Sequence, residues 1–339
     1  MSGAPLGVVV VGCGLIGGRR AGCVAAHVDT RLVSVVDPDG ARAAALAGEH
    51  GARVASSLDE ALDDPSVGAV VAATPNGHLA DVACRALSAG RHVLVEKPMG
   101  RSAAEAERMA AAAQAAGRVL AVGFNHRHHP GLEEAHRLVR EGRIGRVIQL
   151  RARYGHGARP GCEREWRADP ELAGGGELLD QGVHLADLFR WFAGPATAAQ
   201  GIVQTAVWPL EPLEDNAFAL FTFQGGAVGQ FHVSMTQWKN LFSFEVHGER
   251  GAVVVEGLGG SYGVERLIVV ERNQAGGVPR MEERVFEGPD GSWCREWAAY
   301  VGRVRAGDGS GAAEGVAAMR MIDAVYRAAR EGAAVPIPA

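Results

Sequence analysis

The sequence contains two lysines and 32 arginines. One of the lysines, Lys97, directly follows the strand-like run 92–96. Arginine stays protonated at any relevant pH and presents a planar fork, whereas lysine is a compact charge whose pKa can be adjusted for proton handling. Lys97 follows an apolar run and precedes Pro98, and open α/β sheets bind ligands at the carboxyl ends of their strands. A lysine that merely escaped a general bias toward arginine is the alternative. The position favours a role in chemistry.

A second group of candidates lies on a helix predicted over about 176–193. Most of its positions are apolar, and a helix that is apolar nearly all round is buried. At about 3.6 residues per turn, four residues fall within about 60° of one another on this helix: Asp180, His184, Asp187 and Trp191. The i,i+4 spacing points the first two into one cleft, and histidine changes charge near neutral pH, which suits general acid/base work. A solvent-facing stripe or a structural Asp–His pair is the alternative.

Gly12, Gly14 and Gly17 form the pattern G-x-G-x-x-G directly after a strand and at the start of a helix. The first glycine allows a tight turn, the second lets the backbone approach a pyrophosphate, and the third lets helix and strand pack closely. The helix start, which includes Leu15 and Ile16, supplies N–H donors and the positive end of the helix dipole. A glycine-rich turn without a ligand is the alternative in a chain with 47 glycines.

Asp37 ends the next predicted strand, 20 residues beyond the last of these glycines. A carboxylate there accepts hydrogen bonds from an adenosine ribose diol and repels a 2′-phosphate, which favours NAD over NADP. Asp39 adds a second negative charge nearby. Arg42, and less so Arg19 or Arg20, offers a cation to a 2′-phosphate, which keeps NADP open as the less favoured alternative.

The elements that must position these residues alternate between strands and helices in the first 125 residues. Nearly continuous apolar runs predict strands buried on both faces: Leu6–Val11, Leu32–Val36, Ala69–Ala73, His92–Val95 and Val119–Phe124. Two intervening helices open with capping boxes, Ser57 to Glu60 and Ser102 to Glu105. This rhythm predicts the α/β class, with a doubly wound parallel sheet.

The second part of the chain, from about Arg146, is rich in alternating strands joined by turns. The candidates are 147–154, 202–207, 217–223, 227–234, 242–246, 252–255 and 267–270. Such alternation predicts a large open antiparallel sheet with one face against helices, in an α+β domain. Further helices are predicted at about 292–306 and 313–331. The acidic segment Glu211–Asn216 is predicted to be a solvated turn, with contact to a substrate amino group as the less favoured alternative.

Length and composition restrict the function further. A chain of 339 residues suggests two domains, and net charge −5 with pI near 6.2 argues against a nucleic-acid partner. The sequence contains no run of 18 apolar residues, so no membrane span is predicted. The five cysteines are scattered without a C-x-x-C pair, which predicts neither a zinc site nor a disulfide framework. We therefore expect a cytoplasmic protein without a bound metal.

Together these motifs resemble the glucose–fructose oxidoreductase/inositol dehydrogenase family (Gfo/Idh/MocA). The shared motifs are Gly12-x-Gly14-x-x-Gly17, Thr74-Pro75-Asn76, Glu96-Lys97-Pro98, and Gly174-Gly175-Gly176 leading into Asp180-x-x-x-His184. The resemblance covers essentially the whole chain. One departure is His78, which comes one residue earlier than the family pattern suggests.

The resemblance implies a Rossmann domain followed by an α/β domain whose open sheet often serves as a subunit interface. It implies NAD(P)-dependent oxidoreduction of a sugar or cyclitol alcohol, with Lys97, Asp180 and His184 in the catalytic positions. The expected cofactor site also includes residues of the shared motifs: Thr74, Pro75, Asn76, Glu96 and Lys97.

Softer candidates for substrate contacts lie on predicted loops and strand ends of the second part. Loops on a rigid scaffold commonly carry such contacts, and aromatic and hydrogen-bonding side chains suit a sugar ring. The candidates are Asn125, Arg127, Tyr154, His156, Arg159, Trp166, Arg167, Trp238 and Lys239. Each alone is more often structural.

The sequence thus predicts a cofactor domain over 1–125 and a substrate-binding and oligomerisation domain over 126–339. The predicted function is an NAD-dependent dehydrogenase for a secondary hydroxyl of a sugar, amino sugar or cyclitol, or a reductase of the matching ketosugar. We expect a homodimer or homotetramer through the second sheet. A redox-neutral, NAD-using enzyme of glycosidase type and a non-catalytic NAD(H)-responsive subunit are the alternatives. Five arginines and four carboxylates within 151–171 leave the sugar's charge open.

Overall fold

The computed structural model describes residues 4–338, which form two compact units. The first unit comprises the residues up to Phe124 together with Glu171–Gly174 and Trp293–Val316, and the second comprises the rest. The later segment returns because its aromatic side chains belong to the first unit's core, where Trp297 and Tyr300 pack with the sheet. The first unit is therefore built from three separate segments of the chain.

The first unit contains a six-stranded parallel sheet with the order β3-β2-β1-β4-β5-β6. Its strands are β1 Leu6–Val11, β2 Thr30–Val36, β3 Arg53–Val54, β4 Val67–Ala72, β5 His92–Val95 and β6 Leu120–Val122. The central strands are buried along nearly their whole length, as their apolar runs predict. The predicted parallel α/β sheet is confirmed, and the short exposed edge strand β3 is an addition to it.

Five helices follow these strands in sequence: α1 Leu15–Ala26, α2 Gly40–His50, α3 Leu58–Leu62, α4 Asn76–Ser88 and α5 Ala103–Ala116. Both predicted cap serines act as expected, since the hydroxyl of Ser57 accepts from Glu60 N at 3.2 Å and that of Ser102 from Glu105 N at 3.3 Å. The reciprocal half of the capping box differs. Each glutamate carboxylate accepts from the backbone N–H one residue before the cap serine.

The second unit contains a nine-stranded sheet with the order β14-β13-β12-β11-β7-β10-β9-β8-β15. Its strands are β7 Val147–Gly155, β8 Ala196–Gln204, β9 Asn216–Phe223, β10 Val228–Ser234, β11 Leu241–Gly248, β12 Gly251–Glu256, β13 Glu265–Glu271, β14 Arg280–Phe286 and β15 Val335–Pro336. The β7–β10 pair is parallel and the other pairs are antiparallel. The predicted large sheet is confirmed, as mostly antiparallel.

The later helices are α6 Pro130–Arg140, α7 Pro170–Ala173, α8 Val183–Ala193, α9 Ser292–Ala306 and α10 Ser310–Glu331. On the helix-covered face of the second sheet, Phe189 of α8 lies 5.8 Å between ring centroids from both Phe231 and Phe244. Along β9, buried and exposed residues alternate, so one face is core and the other is open. Within residues 4–338, no helix has the length and apolar character needed to cross a membrane.

The sequence analysis misplaced one strand of this sheet and missed two others. The strand predicted at 202–207 runs over Ala196–Gln204 instead, because the N–H groups of residues 206–208 donate to the Asp215 carboxylate rather than to a neighbouring strand. The edge strand β14 was missed because it is rich in charged residues, which commonly protect sheet edges. The two-residue strand β15 has too short a pattern to detect.

The predicted helix over 176–193 begins with a π-helical turn, Leu178–Gly182, and continues as α8. The preceding glycines pack tightly, since a Cβ at Gly175 would lie 2.3 Å from Tyr326 Oη and one at Gly176 would lie 2.0 Å from Glu214 O. The Glu214 carboxylate accepts from Leu178 N at 3.0 Å and from Tyr326 Oη at 2.7 Å. Burial raises the pKa of Glu214. Glu214 therefore anchors the start of the helix and is not part of a solvated turn, which corrects that prediction.

Cys23 of α1 and Cys294 of α9 form a disulfide, with Cα atoms 4.9 Å apart. This contradicts the sequence-based expectation of no disulfide. The two residues are separated by 271 positions, so their spacing carries no signal of pairing. Cys13, Cys84 and Cys162 are free thiols.

Candidate functional site

The glycine pattern of the first unit forms a tight turn with one open position. A Cβ at Gly12 would lie 2.4 Å from Ala73 O, and a Cβ at Gly17 would lie 1.8 Å from Gly12 O. Gly12 also has φ of 93°, in the region that favours glycine. By contrast, no atom lies within 4 Å of a Cβ built on Gly14. The turn therefore has the shape that a pyrophosphate needs at a helix N-terminus.

Asp37 is tied to this turn. Its Oδ2 accepts a hydrogen bond from Cys13 N at 2.7 Å, and its Oδ1 accepts one from Asp39 N at 2.8 Å. Arg42 Nη1 lies 3.8 Å from Asp37 Oδ2, and Arg42 Nη2 lies 3.3 Å from Asp39 Oδ2. Asp39 also caps α2, since its carboxylate accepts from Arg42 N. The carboxylate expected to meet the adenosine ribose is thus held in place by backbone groups at the end of β2.

Burial raises the pKa of the Cys13 thiol to about 11, with a smaller contribution from Asp37. Cys13 is therefore a neutral thiol at pH 7, and it packs in the core of the first unit.

Two further motif segments lie at the carboxyl ends of β4 and β5. The Asn76 side chain is buried and its Nδ2 donates to Ala173 O at 2.9 Å, so this amide group binds the chain itself. Thr74 and Pro75 directly precede α4 and are partly buried. Glu96 is buried and its Oε1 accepts from Arg20 Nε at 2.5 Å.

Lys97 follows Glu96 at the end of β5 and is partly buried. Its backbone N–H lies 3.3 Å from Glu96 Oε2. A parallel sheet places ligands at this end of its strands, so the first unit presents Lys97 at the expected edge.

The second unit places a compact polar cluster around the start of α8. His184 is 3% exposed and stacks on the ring of His126, with ring centroids 3.7 Å apart and planes inclined by 16°. Tyr154 is also buried, and its ring centroid lies 5.3 Å from that of His126. Asp180 on the π-helical turn accepts from Arg167 Nε at 3.1 Å. The second unit therefore carries a general acid/base candidate, His184, and a carboxylate, Asp180, in a segment that packs against buried aromatic rings.

Tyr262 and Glu177 complete this cluster. Burial raises the pKa of Tyr154 well above its usual value, and the Tyr262 hydroxyl adds to the shift because it accepts a hydrogen bond from Tyr154. Burial also raises the pKa of Tyr262 to about 12. His156 Nε2 lies 3.8 Å from Glu177 Oε1. Burial lowers the pKa of His156 against an opposing effect of Asp180, so His156 is neutral at pH 7.

Asp187 and Arg127, which sequence patterns associated with the cleft, pair with each other. Arg127 donates from Nε to Asp187 Oδ2 at 2.7 Å and from Nη2 to Asp187 Oδ1 at 2.5 Å. The Asp187 side chain is 1% exposed. The Arg127 guanidinium also lies 5.6 Å from the ring centroid of Trp191. The shared side of Asp180, His184, Asp187 and Trp191 stays a prediction.

The other expected substrate residues are divided: some are exposed, whereas Arg167 and Asn125 contact the cluster through Asp180 and His126. Arg159 is 74% exposed and pairs with Glu165, Trp238 is 66% exposed, and Lys239 is exposed. The Arg167 guanidinium lies 4.4 Å from the ring centroid of Trp166. Asn125 is buried, and its amide donates to Ser292 Oγ at 2.9 Å. Among the described residues, no group of three or more His, Cys, Asp or Glu is arranged to hold a metal ion.

Comparison with known proteins agrees with this architecture. Residues 6–124 match the oxidoreductase family with an NAD-binding Rossmann fold, and residues 132–254 match the GFO/IDH/MocA C-terminal domain. The chain belongs to the Gfo/Idh/MocA family. The predicted family and its class of activity, an NAD-binding oxidoreductase, are thereby confirmed.

Among curated Gfo/Idh/MocA relatives, 1,5-anhydro-D-fructose reductase of Ensifer adhaerens is 37% identical over 66% of this chain and 67% of the relative. Levoglucosan dehydrogenase of Pseudarthrobacter phenanthrenivorans is 30% identical over 57% of this chain, and that match spans 56% of the relative. Among solved structures, GenD2 from gentamicin A biosynthesis in complex with NAD is 31% identical, covers 100% of this chain and 98% of its own, and has a TM-score of 0.86.

Several residues of the polar cluster around the start of α8 were not predicted from the sequence. His126 and Glu177 lie next to motif or candidate residues, but neither belongs to a sequence pattern that indicates a functional role. Tyr262 lies on a segment far along the chain from Tyr154, and only the fold brings the two together. Arg20, which the sequence analysis offered as a less favoured cation for a 2′-phosphate, is fully buried and pairs with Glu96 and Glu296.

Proposed function

We propose that this protein is an NAD-dependent dehydrogenase that oxidises a secondary hydroxyl of a sugar, amino sugar or cyclitol, or reduces the matching ketosugar. The observation that carries the proposal is the buried His184, four residues after Asp180 at the start of α8, in a chain of an NAD-binding oxidoreductase family. The relatives named above act on sugars or belong to the biosynthesis of a sugar-containing compound. Their names support a sugar-like substrate.

The residues that would hold NAD belong to the first unit. The open position over Gly14 and the free start of α1 fit a pyrophosphate, and Asp37 fits a ribose diol. When bound, the nicotinamide supplies a carbon that accepts or returns a hydride. We propose that residues 1–125 carry the cofactor and residues 126–339 the substrate.

The protein's own part in this reaction is proton handling and charge stabilisation. His184 accepts the proton of the substrate hydroxyl, and in the reverse direction it returns that proton to the carbonyl oxygen. Lys97 donates a hydrogen bond to the same oxygen and stabilises its developing negative charge. Asp180 orients the substrate and His184. Tyr262 stays protonated because of its raised pKa, and its hydroxyl can donate a hydrogen bond to a sugar oxygen.

Single substitutions test these roles. We expect Lys97→Met, Asp180→Asn and His184→Ala each to lower kcat strongly, by about 10²- to 10⁴-fold for the general base. NAD affinity should change little, because the groups assigned to pyrophosphate and ribose are elsewhere. Steady-state NADH formation with a panel of cyclitols, free sugars, amino sugars and nucleotide sugars provides the rates, and fluorescence titration provides NAD affinity.

Two results discriminate between chemistry and structure. Lys97→Arg keeps the charge but not the compact, titratable amine, so a proton-coupled role predicts a large loss of kcat. Double variants should lose much less than the product of the single losses, since residues that serve one transition state are not independent. Full activity in Lys97→Arg, or His184→Ala within about threefold of the wild type, would overturn the mechanism.

We also propose a homodimer or homotetramer formed through the open face of the second sheet. That face exposes apolar side chains of β8 and β9, among them Ile202, Phe218 and Leu220, which are 65%, 44% and 41% exposed. Contiguous apolar surface of this kind marks interaction sites. Arg151 and Glu245 on β7 and β11 pair on the same face and would supply polar contacts.

A further inference from the structure

His126 contributes a flat ring to the cluster in a position that the dehydrogenase proposal does not use. It lies in a short 3₁₀ turn, Asn125–His128, and is 4% exposed. Its ring is nearly parallel to that of His184, with centroids 3.7 Å apart. Both histidines belong to the second unit. Two stacked, buried imidazoles at the candidate base imply that the charge of one depends on the other.

The hydrogen bonds of Asn125 define the proton on His126. Asn125 Nδ2 donates to Ser292 Oγ at 2.9 Å, which leaves Asn125 Oδ1 facing His126 Nδ1 at 3.2 Å. An amide oxygen only accepts, so Nδ1 of His126 carries a hydrogen. The neutral form of His126 is therefore the Nδ1–H tautomer, with its ring face against His184.

The groups around the pair come from several elements. Tyr154 on β7 is protonated, since its pKa is raised well above the usual value, chiefly by burial. His129 lies edge-on to His126 at 5.7 Å between centroids and is hydrogen-bonded to Glu265 at 3.2 Å. Other charged groups on the surrounding segments are the Arg127–Asp187 pair, Asp180 with Arg167, Glu177 with His156, and Asp290 beside His129.

When two imidazole rings stack at this distance, protonation of one ring is possible, but protonation of both is unfavourable. Two imidazolium rings in contact repel each other in a site largely excluded from water. A neutral aromatic ring lying face-on to a cation attracts it. A neutral His126 therefore favours the protonated form of His184, which is the form that exists after His184 has taken the hydroxyl proton.

We propose that His126 is a positioning residue that holds the ring plane of His184 and stabilises its protonated form. This inference rests on the proposed dehydrogenase function. In this inference His126 increases the proton affinity of His184, whereas a purely structural His126 would only fill space between α8 and β11.

Two variants separate these roles. His126→Phe keeps a flat ring over His184, whereas His126→Leu fills the space without one. The acid limb of kcat/KM for alcohol oxidation reports the protonation of His184. In His126→Leu we expect this limb to move to lower pH by about 0.5 to 1.5 units, with kcat about 3- to 30-fold lower. In His126→Phe both should stay close to the wild type.

His136→Phe is the matched control, because His136 stacks on Trp191 at the same centroid distance, 3.7 Å, in the same unit but outside the cluster. Its pH profile should equal that of the wild type. An unmoved acid limb in His126→Leu would overturn the proposal. So would a shift to higher pH in both His126 variants, since that would mean that His126 carries the charge in the wild type.

A measurement without turnover separates this inference from the dehydrogenase proposal. Histidines labelled with ¹³C at Cε1 can be titrated by NMR in the free protein, with His184→Ala assigning the signal. We expect the His184 signal to titrate at lower pH in His126→Leu than in His126→Phe and wild type. If no sugar alcohol is oxidised but this difference is present, the dehydrogenase proposal fails alone. If oxidation occurs and the three titrations coincide, the role of His126 fails alone.

Discussion

Arg20 links the carboxyl end of β5, where Glu96 lies, to helix α9 through two buried ion pairs. Its Nε lies 2.5 Å from Glu96 Oε1 and its Nη1 lies 2.5 Å from Glu296 Oε2, and the side chain of Arg20 is 0% exposed. Its guanidinium also lies 4.6 Å from the ring centroid of Trp293. Burial alone lowers the pKa of Arg20, but Glu296 and Glu96 outweigh it and the pKa is raised.

Removing the Arg20 charge should therefore be costly. In Arg20→Met two carboxylates stay buried without their cation, and we expect the free energy of unfolding to fall by about 3–5 kcal/mol. Arg19→Met is the control, because Arg19 is the exposed neighbour on the same helix, and it should cost less than about 1 kcal/mol. Urea unfolding followed by circular dichroism measures both. Equal losses in the two variants would contradict the role assigned to the ion pairs.

Asp37 is the residue on which the expected preference for NAD over NADP depends. Asp37→Ser removes the charge that opposes a 2′-phosphate and leaves Arg42, 3.8 Å from Asp37, able to contact one. We expect the ratio of kcat/KM for NAD over NADP to fall at least about tenfold, chiefly through better use of NADP. Because Asp37 also accepts from Cys13 N, the variant should bind NAD less tightly.

Asp39→Asn is the control for this substitution, since asparagine also caps helices. It removes a charge from the same turn and should change the cofactor ratio much less. A wild-type enzyme that already prefers NADP would contradict the prediction at the outset.

At the scale of elements, the contact between α6 and α8 contains a titratable ring. His136 of α6 stacks on Trp191 of α8, and burial lowers its pKa to about 4. The unfolded chain, with a pKa of about 6.5, takes up a proton at a higher pH than the folded protein does. The contribution of neutral His136 to stability is therefore complete above about pH 6.5 and is lost as the pH falls toward about 4.

His136→Phe keeps the stack and cannot be protonated. Its melting temperature should consequently fall less than that of the wild type between pH 7 and pH 4.5. Differential scanning calorimetry at several pH values in this interval makes the comparison. Parallel curves for the two proteins would show that His136 is not protonated on unfolding in this interval.

At the scale of the whole molecule, the open face of the second sheet should hold subunits together. A charge placed among its apolar side chains would be buried in the interface, so Leu220→Glu is expected to dissociate the oligomer. Val278→Glu is the control, because Val278 is 88% exposed on a loop between β13 and β14. Light scattering after gel filtration at micromolar concentration gives the mass. A monomeric wild type would contradict the proposed assembly.

How far the sequence reached depended on the range of the interactions. The strands of the first unit, the cap serines and the glycine turn follow from residues close together in the chain, because burial and capping impose short periods and fixed offsets. The same reasoning located most strands of the second sheet. It misplaced the strand now seen at 196–204, where the competing partner of the backbone was the Asp215 carboxylate, several residues away.

The sequence by itself determined the family, the two kinds of sheet, and the segments that carry Lys97, Asp180 and His184. The tertiary structure alone decided which distant groups meet: Cys23 with Cys294, Arg20 with Glu296, Tyr154 with Tyr262, and His126 with His184. The physical reason is that side-chain patterns record whether a residue is buried but not against what. Pairing over tens or hundreds of residues depends on the path of the whole chain, to which no local period corresponds.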